Sequence, residues 1–416
     1  MHFFLFALSI LLCWFPVGAS AASLDEIRAR GVLRVGMSGD YAPFCVCTEW
    51  PHDCSGFEVE MARRLAADLA VRLDLVRFHW SELKAAALAD KFDLAMSGVT
   101  MRPDRLLWGT FARPYAVSGA VVLVADTSRF PSVASVDRAG VRLAVNAGGH
   151  LEQVARTRFP TATILTTPKN MELPALVEQH QADALLTDSF EAPQFLAHHS
   201  RLSALPAFGR DRKAYLLRRS DGPWREWLDR WLADRERDGF LPGLRQRWLG
   251  EKPTQPLSPL STVFAFLDLR LALMPAVADY KQRHNLPVED LRQEGVVIAH
   301  ATSLARAKGA DAETTRALFR QQIDAAKQVQ EAMLKNPHRI PAWAQGLDLA
   351  TDLRPALSEI GDRMIELFVP HPSPAVDQAT VLRAADEEIT TEGIDSSERR
   401  RLGEAVWQAL SKPRPK

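Results

Sequence analysis

The chain has 416 residues, with 51 Lys and Arg against 51 Asp and Glu, so its formal charge at pH 7 is zero. That balance offers no electrostatic footprint for nucleic acid or for an anionic membrane surface. The length exceeds one ordinary core and predicts two or three folding units.

Residues 1–22 hold an apolar run from Phe3 to Phe15 and end in Ala19-Ser20-Ala21-Ala22, the pattern of a secretory signal peptide cleaved after Ala21 or Ala22. The run is too short for a comfortable membrane span, and its leading region offers only His2 where Lys or Arg is usual. No later segment reads as long and apolar enough to cross a bilayer. The expectation is a periplasmic protein without a membrane span. Cys13 leaves with the signal, and the odd set Cys45, Cys47 and Cys54 implies one disulfide and one free thiol in an oxidising compartment. Cys47 to Cys54 is the preferred pairing, with Cys45 to Cys54 its rival. These thiols with His52 form a single cluster without a second Cys pair, so no metal site is expected.

From residue 30 to about 250 strands and helices alternate. Strands are predicted at 33–38, 73–78, 92–97, 141–146 and 182–188, with helices at 56–70, from Gly149 and at 189–196. Such alternation implies mostly parallel sheets that bind ligands at the carboxyl ends of strands. Trp224, Trp227, Leu228, Trp231 and Leu232 follow helical spacing and read as core or interface packing. Prolines at 253, 256 and 259 then mark an exposed linker with little core crossing it. The expected division is 23–250, a linker at 251–260, and 261–416.

Beyond the linker only helical periodicity is visible. Arg270, Met274, Val277 and Lys281, spaced by four, three and four, fall on one helix face shared with Leu273. Buried cations need anions, supplied by the protein or by a ligand. Asp290 and Glu294 are one turn apart, as are Gln322, Ala326 and Gln330, and residues 371–416 read as two further helices.

The first region carries Leu33-Arg34-Val35-Gly36, Asp40-Tyr41-x-Pro43-Phe44, Gly56-Phe57-Glu58-Val59-Glu60-Met61-Ala62 and Phe92 to Gly98. Arg105, Pro114-Tyr115, Val145-Asn146-x-Gly148-Gly149, Thr187-Asp188 and Lys213-Ala214-Tyr215-Leu216-Leu217 follow. It resembles periplasmic amino-acid-type solute-binding proteins, and most of all the cyclohexadienyl dehydratases, exported enzymes on that two-lobed α/β fold. The resemblance implies that Tyr41 and Trp80 sandwich a ligand, and that Ser97, Thr100 and Arg105 hold a carboxylate. It implies an anion site at the helix entrance Gly149-His150, His150 standing where Thr is usual. Asp188 would meet an amino group or a ring hydroxyl, Lys213 would be a lesser contact, and Glu152 would be the general acid.

Arg270 to Lys281, then Leu286-Pro287-Val288-Glu289-Asp290, Phe319-x-x-Gln322-Ile323-x-Ala325-Ala326-Lys327-x-Val329-Gln330 and Leu353-Arg354-Pro355 resemble the exported, all-helical chorismate mutases. By that resemblance Arg270 and Arg354 grip carboxylates, Lys281 and Gln330 face the breaking ether oxygen, and Glu294 with Asp290 meets the ring hydroxyl. Gln293 stands where an Arg is usual; a neutral hydrogen bond from Gln293 is preferred over substitution by Arg292. Together the resemblances imply a cofactor-free bifunctional enzyme. It would take chorismate to prephenate, and prephenate or arogenate to phenylpyruvate or phenylalanine, with homo-oligomer formation left open. The alternative is an amino-acid-binding or ligand-sensing module fused to a mutase.

Overall fold

The computed structural model describes residues 24–219, 221–250, 259–368 and 376–411. The expected signal peptide and residues 251–258 of the expected linker lie outside them. In the first lobe a five-stranded sheet runs in the order Arg72–Arg77, Val32–Met37, Leu94–Ala95, Leu216–Arg218, Gly109–Phe111. The second lobe orders Thr163–Thr167, Arg142–Asn146, Ala184–Asp188, Ala116–Val124 and Ser203–Ala204, with Phe208–Lys213 also pairing Ala116–Val124. The chain crosses between lobes at residues 112–115 and 214–215. Buried Glu58 sits under both crossings: Tyr115 donates to its carboxylate, Tyr215 stands beside it, and burial lifts it to about 7.

The Phe57–Asp68 helix starts where Gly56 holds φ +127° and where any Cβ would lie 2.3 Å from the Phe44 carbonyl. A side chain there is excluded on both counts. The Cys47–Cys54 disulfide is present, and Cys45 is free and buried.

The helical half begins with Pro259–Leu271, breaks at residues 272–273 and resumes as Met274–Arg283. Pro275 explains the break, because it lacks an N–H and its ring crowds the carbonyl four residues back, at Leu271. The stripe expected on one helix therefore runs over two. By length and composition Pro259–Arg283 does qualify as a membrane span, contrary to expectation. Most of it is buried inside the protein, where it packs with the helices Ala312–Lys335, Arg354–Phe368 and Gln378–Glu388, while the helix Leu291–Lys308 packs on Ala312–Lys335 and Arg354–Phe368. Gln378–Glu388 and Ser396–Ser411 complete the bundle as the two expected terminal helices.

The two halves share a core, which the linker reading did not anticipate. Phe78, Leu83, Phe92, Leu106 and Phe111 of the first lobe belong to one apolar cluster with Leu260, Phe264, Leu267 and Met364. Polar ties reach both lobes. On the second-lobe strand, buried Arg212 pairs with Asp268 at 2.9 Å and Glu388 at 3.0 Å, and Arg210 pairs with Glu388 at 2.7 Å. On the first-lobe side Arg363 pairs with Asp229 at 2.6 Å and donates to the Phe111 carbonyl, while Arg219 meets Glu359 at 3.3 Å.

Candidate active sites

A cavity of about 400 Å³ lies inside the helical bundle. Arg270, Met274, Val277 and Lys281 all line it, so the stripe survives the helix break, and Asp290, Gln293, Glu294, Gln330 and Arg354 line it too. Arg270 is buried, its Nε has no hydrogen-bond partner, and among the described residues no carboxylate pairs with it. Burial alone pushes its guanidinium down to about 10. The Lys281 ammonium donates to the Val288 carbonyl; burial lowers its pKa, while Asp290 and Glu294 oppose the shift.

Asp290 is the N-cap of the Leu291–Lys308 helix, accepting from the Gln293 N–H at 3.0 Å, rather than a residue one turn inside it. Glu294 is held by the Asp290 N–H and by Lys327, each at 3.4 Å. Buried Gln330 donates to the Ala326 carbonyl at 3.1 Å, leaving its Oε1 without a partner. Arg354 is exposed at the cavity wall, and Arg292 is exposed and outside it. Buried, uncompensated positive charge facing an open space is costly unless an anion arrives.

The second candidate lies between the lobes and is nearly shut, at about 40 Å³. Tyr41, Trp80, Thr100, Gly149, His150 and Lys213 line it, together with Asn146, Asn170, Glu191 and Asp211. Lobe closure is tight at Gly148, where φ is +75° and a Cβ would meet the Ser81 amide nitrogen at 2.5 Å. Tyr41 and Trp80 meet edge to face, 6.2 Å between centroids, rather than as parallel walls of a sandwich.

Lys213 is central rather than peripheral. Its ammonium contacts Asp211 at 2.7 Å, Asp188 at 3.1 Å and the Tyr41 hydroxyl at 3.0 Å. Burial pulls its pKa down, and the two carboxylates more than offset it. Asp188 is thereby satisfied: one oxygen takes Lys213 and Tyr41, the other the Phe190 and Glu191 N–H groups. The His150 imidazole falls to about 4, chiefly through burial, and its Nδ1 has no partner. Asn146 Nδ2 and Asp211 Oδ1 are likewise buried and unpartnered.

Besides Asp188, buried in its pairing with Lys213, three expected residues stand off the cavity wall. Ser97 is buried in a hydrogen-bond cluster with Ser38 and Cys45 and does not reach the cavity wall. Arg105 is buried behind the wall, donating to the Thr100 carbonyl at 2.8 Å with its guanidinium 5.9 Å from the Trp80 ring centroid. It has no carboxylate partner among the described residues, and burial, helped by Arg102, pushes it down to about 9. Glu152 leaves the cavity altogether. Its carboxylate accepts from the Gly148 N–H at 2.7 Å, pairs with Arg156 at 2.7 Å and lines an outer groove.

Among the described residues two acids line the cavity, Asp211, which is paired with Lys213, and Glu191, which the sequence reading passed over. Glu191 is buried, bonded to Thr187 at 2.7 Å and to Asn170, and pushed well above the carboxylate range by burial and then by the charge of Asp188. A carboxyl group kept protonated at neutral pH can donate a proton. Its signal was an acid three residues after Asp188, unremarkable without the enclosure around it. Among the described residues no group of His, Cys, Asp and Glu is arranged to hold a metal ion.

Residues 33–251 match the bacterial extracellular solute-binding proteins, family 3, and residues 262–331 match chorismate mutase type II. A cyclohexadienyl dehydratase from Pseudomonas aeruginosa is 35% identical over 244 residues, covering 58% of this chain and 90% of that protein. The L-cystine-binding protein TcyJ of Escherichia coli K12 is 26% identical over 239 residues, covering 57% and 90%. Among solved structures, the ancestral amino acid-binding protein AncCDT-1, a precursor of cyclohexadienyl dehydratase, superposes with a TM-score of 0.51 at 32% identity, covering 54% of this chain and 99% of the other. The chain therefore belongs to family 3 of the bacterial extracellular solute-binding proteins, on the side of cyclohexadienyl dehydratase, and continues into a chorismate mutase type II domain.

Proposed function

We infer that this protein is a bifunctional enzyme of phenylalanine biosynthesis. Its helical half rearranges chorismate to prephenate, and its two-lobed half converts prephenate to phenylpyruvate. The first step forms no covalent bond to the enzyme, so it needs a cage that holds a compact dianion and stabilises charge on the breaking ether oxygen. Arg270 and Arg354 serve the carboxylates, Lys281 and Gln330 the ether oxygen, and Glu294, steadied by Asp290, the ring hydroxyl. Gln293 offers a neutral donor.

In the second step the ring carboxylate leaves as carbon dioxide, its bonding pair enters the ring, and the carbon–hydroxyl bond breaks as the oxygen takes a proton. Glu191 is the acid this site supports, with Thr100 and the amides at Gly149 for the side-chain carboxylate, Arg105 adding positive charge from behind the wall, and Tyr41 and Trp80 against the ring. The observation that carries the reading over an amino-acid binder is Lys213. Its ammonium already occupies Asp188, the carboxylate that takes an amino group in such binders. The same contact favours prephenate over arogenate, which brings an amine of its own.

Export to the periplasm is part of this reading: the leader pattern and the Cys47–Cys54 disulfide both suit an oxidising compartment. The test is incubation of the full chain with chorismate. Phenylpyruvate is the expected product; a reaction that stops at prephenate, with an amino acid bound by the two-lobed half, would favour the binding module.

A further inference from the structure

Lys327 has no role in the scheme above. It stands on the Ala312–Lys335 helix between Ala326 and Gln330 and lines the mutase cavity with them. Its ammonium lies 3.4 Å from Glu294, 3.5 Å from Glu289 and 3.5 Å from Asp324. A strong charge-assisted contact closes to about 2.7–2.9 Å, so this ammonium sits among three acids and is tightly held by none. Two of them, Glu289 and Asp324, have side chains 62% and 58% exposed, where water screens an ion pair.

The positive charge of the cavity is unevenly placed. Arg270 and Lys281 belong to the 270–281 stripe, and Arg354 is exposed to solvent. The wall from the Leu291–Lys308 helix presents Gln293, Glu294 and His300 but no Lys or Arg; Arg292 is exposed outside the cavity, and the His300 ring is taken by Asp362 at 2.7 Å. A carboxylate against that wall would meet a neutral amide and a like charge, which costs affinity unless a cation is shared across the gap. Lys327 can supply it, because it lines the same cavity as Gln293 and its contact with Glu294 brings the ammonium to that wall.

We propose that Lys327 is a substrate-binding cation of the mutase site. It leaves its acidic neighbours to hold one carboxylate of the incoming dianion beside Gln293, and in doing so frees Glu294 for the ring hydroxyl. The inference rests on the mutase reading given above. The upward shift of the Lys327 pKa, where burial is outweighed by Glu294 and its other acids, keeps the ammonium charged throughout.

Steady-state kinetics of the full chain test it. Lys327→Gln should raise KM for chorismate about tenfold to a hundredfold with a smaller change in kcat, while Lys327→Arg stays within about threefold of the unmodified chain. Adding Gln293→Arg to Lys327→Gln should recover most of the loss, because a guanidinium on the same wall restores the missing charge. Turnover of supplied prephenate, measured on the same preparations, reports the fold; should Lys327→Gln lose it, Lys327→Met, which keeps the apolar stem, takes its place. An unchanged KM overturns the proposal. So does a loss confined to kcat that Gln293→Arg does not recover, which would make Lys327 only a support for Glu294. If the unmodified chain leaves chorismate untouched, the mutase reading fails before any variant is made.

Discussion

The two cavities hold positive charge in opposite ways. In the helical half Arg270 is buried with no carboxylate against it among the described residues, and the cavity holds about 400 Å³. Between the lobes Lys213 is paired with Asp188 and Asp211, and the space is only about 40 Å³. A rearrangement without covalent steps gains from a cage set in advance, whose cations meet the substrate without first breaking other contacts. A dehydration driven by a neutral acid gains from a cleft that opens for the substrate and then closes to exclude water. The first site stores an unpaired charge, and the second stores charge pairs that the substrate must exchange.

The contrast is broken most directly at the acid. Glu191→Gln keeps size and hydrogen bonding but removes the transferable proton, and general acid catalysis is worth roughly 10² to 10⁴ in rate. Phenylpyruvate formation should fall by that factor while chorismate is consumed and prephenate accumulates. Glu152→Gln, which disturbs only the contacts to Gly148 and Arg156, should leave both activities within about threefold, the scale of a surface substitution. The reverse outcome would return the acid to Glu152.

The comparison presumes two sites on one cooperative body, and the interface tests that. Asp268 accepts from Arg212, from both N–H groups of Thr390 and Thr391, and from both their hydroxyls. Asp268→Ala strands the buried Arg212 beside Glu388 alone, and breaking such a pair typically costs about 3–5 kcal/mol. Thermal unfolding should drop for both halves in one transition. Two transitions, with only the bundle affected, would show that the halves fold separately.

On the mutase side, removing one preorganised donor costs about 2.7–4 kcal/mol, roughly a hundredfold to a thousandfold. Arg270→Ala and Lys281→Ala should each lose that much chorismate turnover while supplied prephenate is still dehydrated at the normal rate. Retained mutase turnover in a folded variant would mean that the stripe does not face the substrate.

Local pattern made much of this legible. The apolar strand runs, the Gly56 helix start and the four-three-four stripe are set by neighbours within a few turns, so the chain order alone places them. Even the break before Pro275 leaves the stripe on one cavity, because a proline kink redirects a helix without reversing its face. What stayed hidden depends on contacts distant in sequence. The acid role fell to Glu152 by resemblance to the cyclohexadienyl dehydratases, yet Arg156, one turn on, draws its carboxylate to the outer groove. Glu191 holds its proton only through burial and the nearby charge of Asp188, which outweigh the hydrogen bonds from Thr187 and Asn170. The prolines at 253–259 spoke for a free linker, whereas Phe92 and Phe264 belong to one core that no local composition reveals.

The smallest expected effect lies in the closed cleft and is read as stability against pH. His150 sits among Asp211, which favours its charged form, and Arg102, Lys213 and Arg105, which oppose it, with burial the largest influence and a net fall to about 4. Its ordinary value is 6.5, so the unfolded chain takes up a proton there well before the folded one does. The stabilising contribution is thus present above pH 6.5 and is lost as pH falls through about 4, at most roughly 3 kcal/mol for a single site. Glu58 works in the other sense: raised to about 7, it contributes stability below the ordinary carboxyl range that disappears as pH climbs toward 7. The unmodified protein sums the two, so the quantity to measure is the difference between its denaturant midpoint and that of His150→Gln from pH 4 to 8. That difference should shrink as the solution is acidified below 6.5, because the substituted amide binds no proton in either state. A difference that stays constant over that range would mean that His150 takes up its proton equally in the folded and unfolded chain, and one that grows on acidification would mean that the cleft holds the ring charged, offering the substrate a cation in place of a neutral ring.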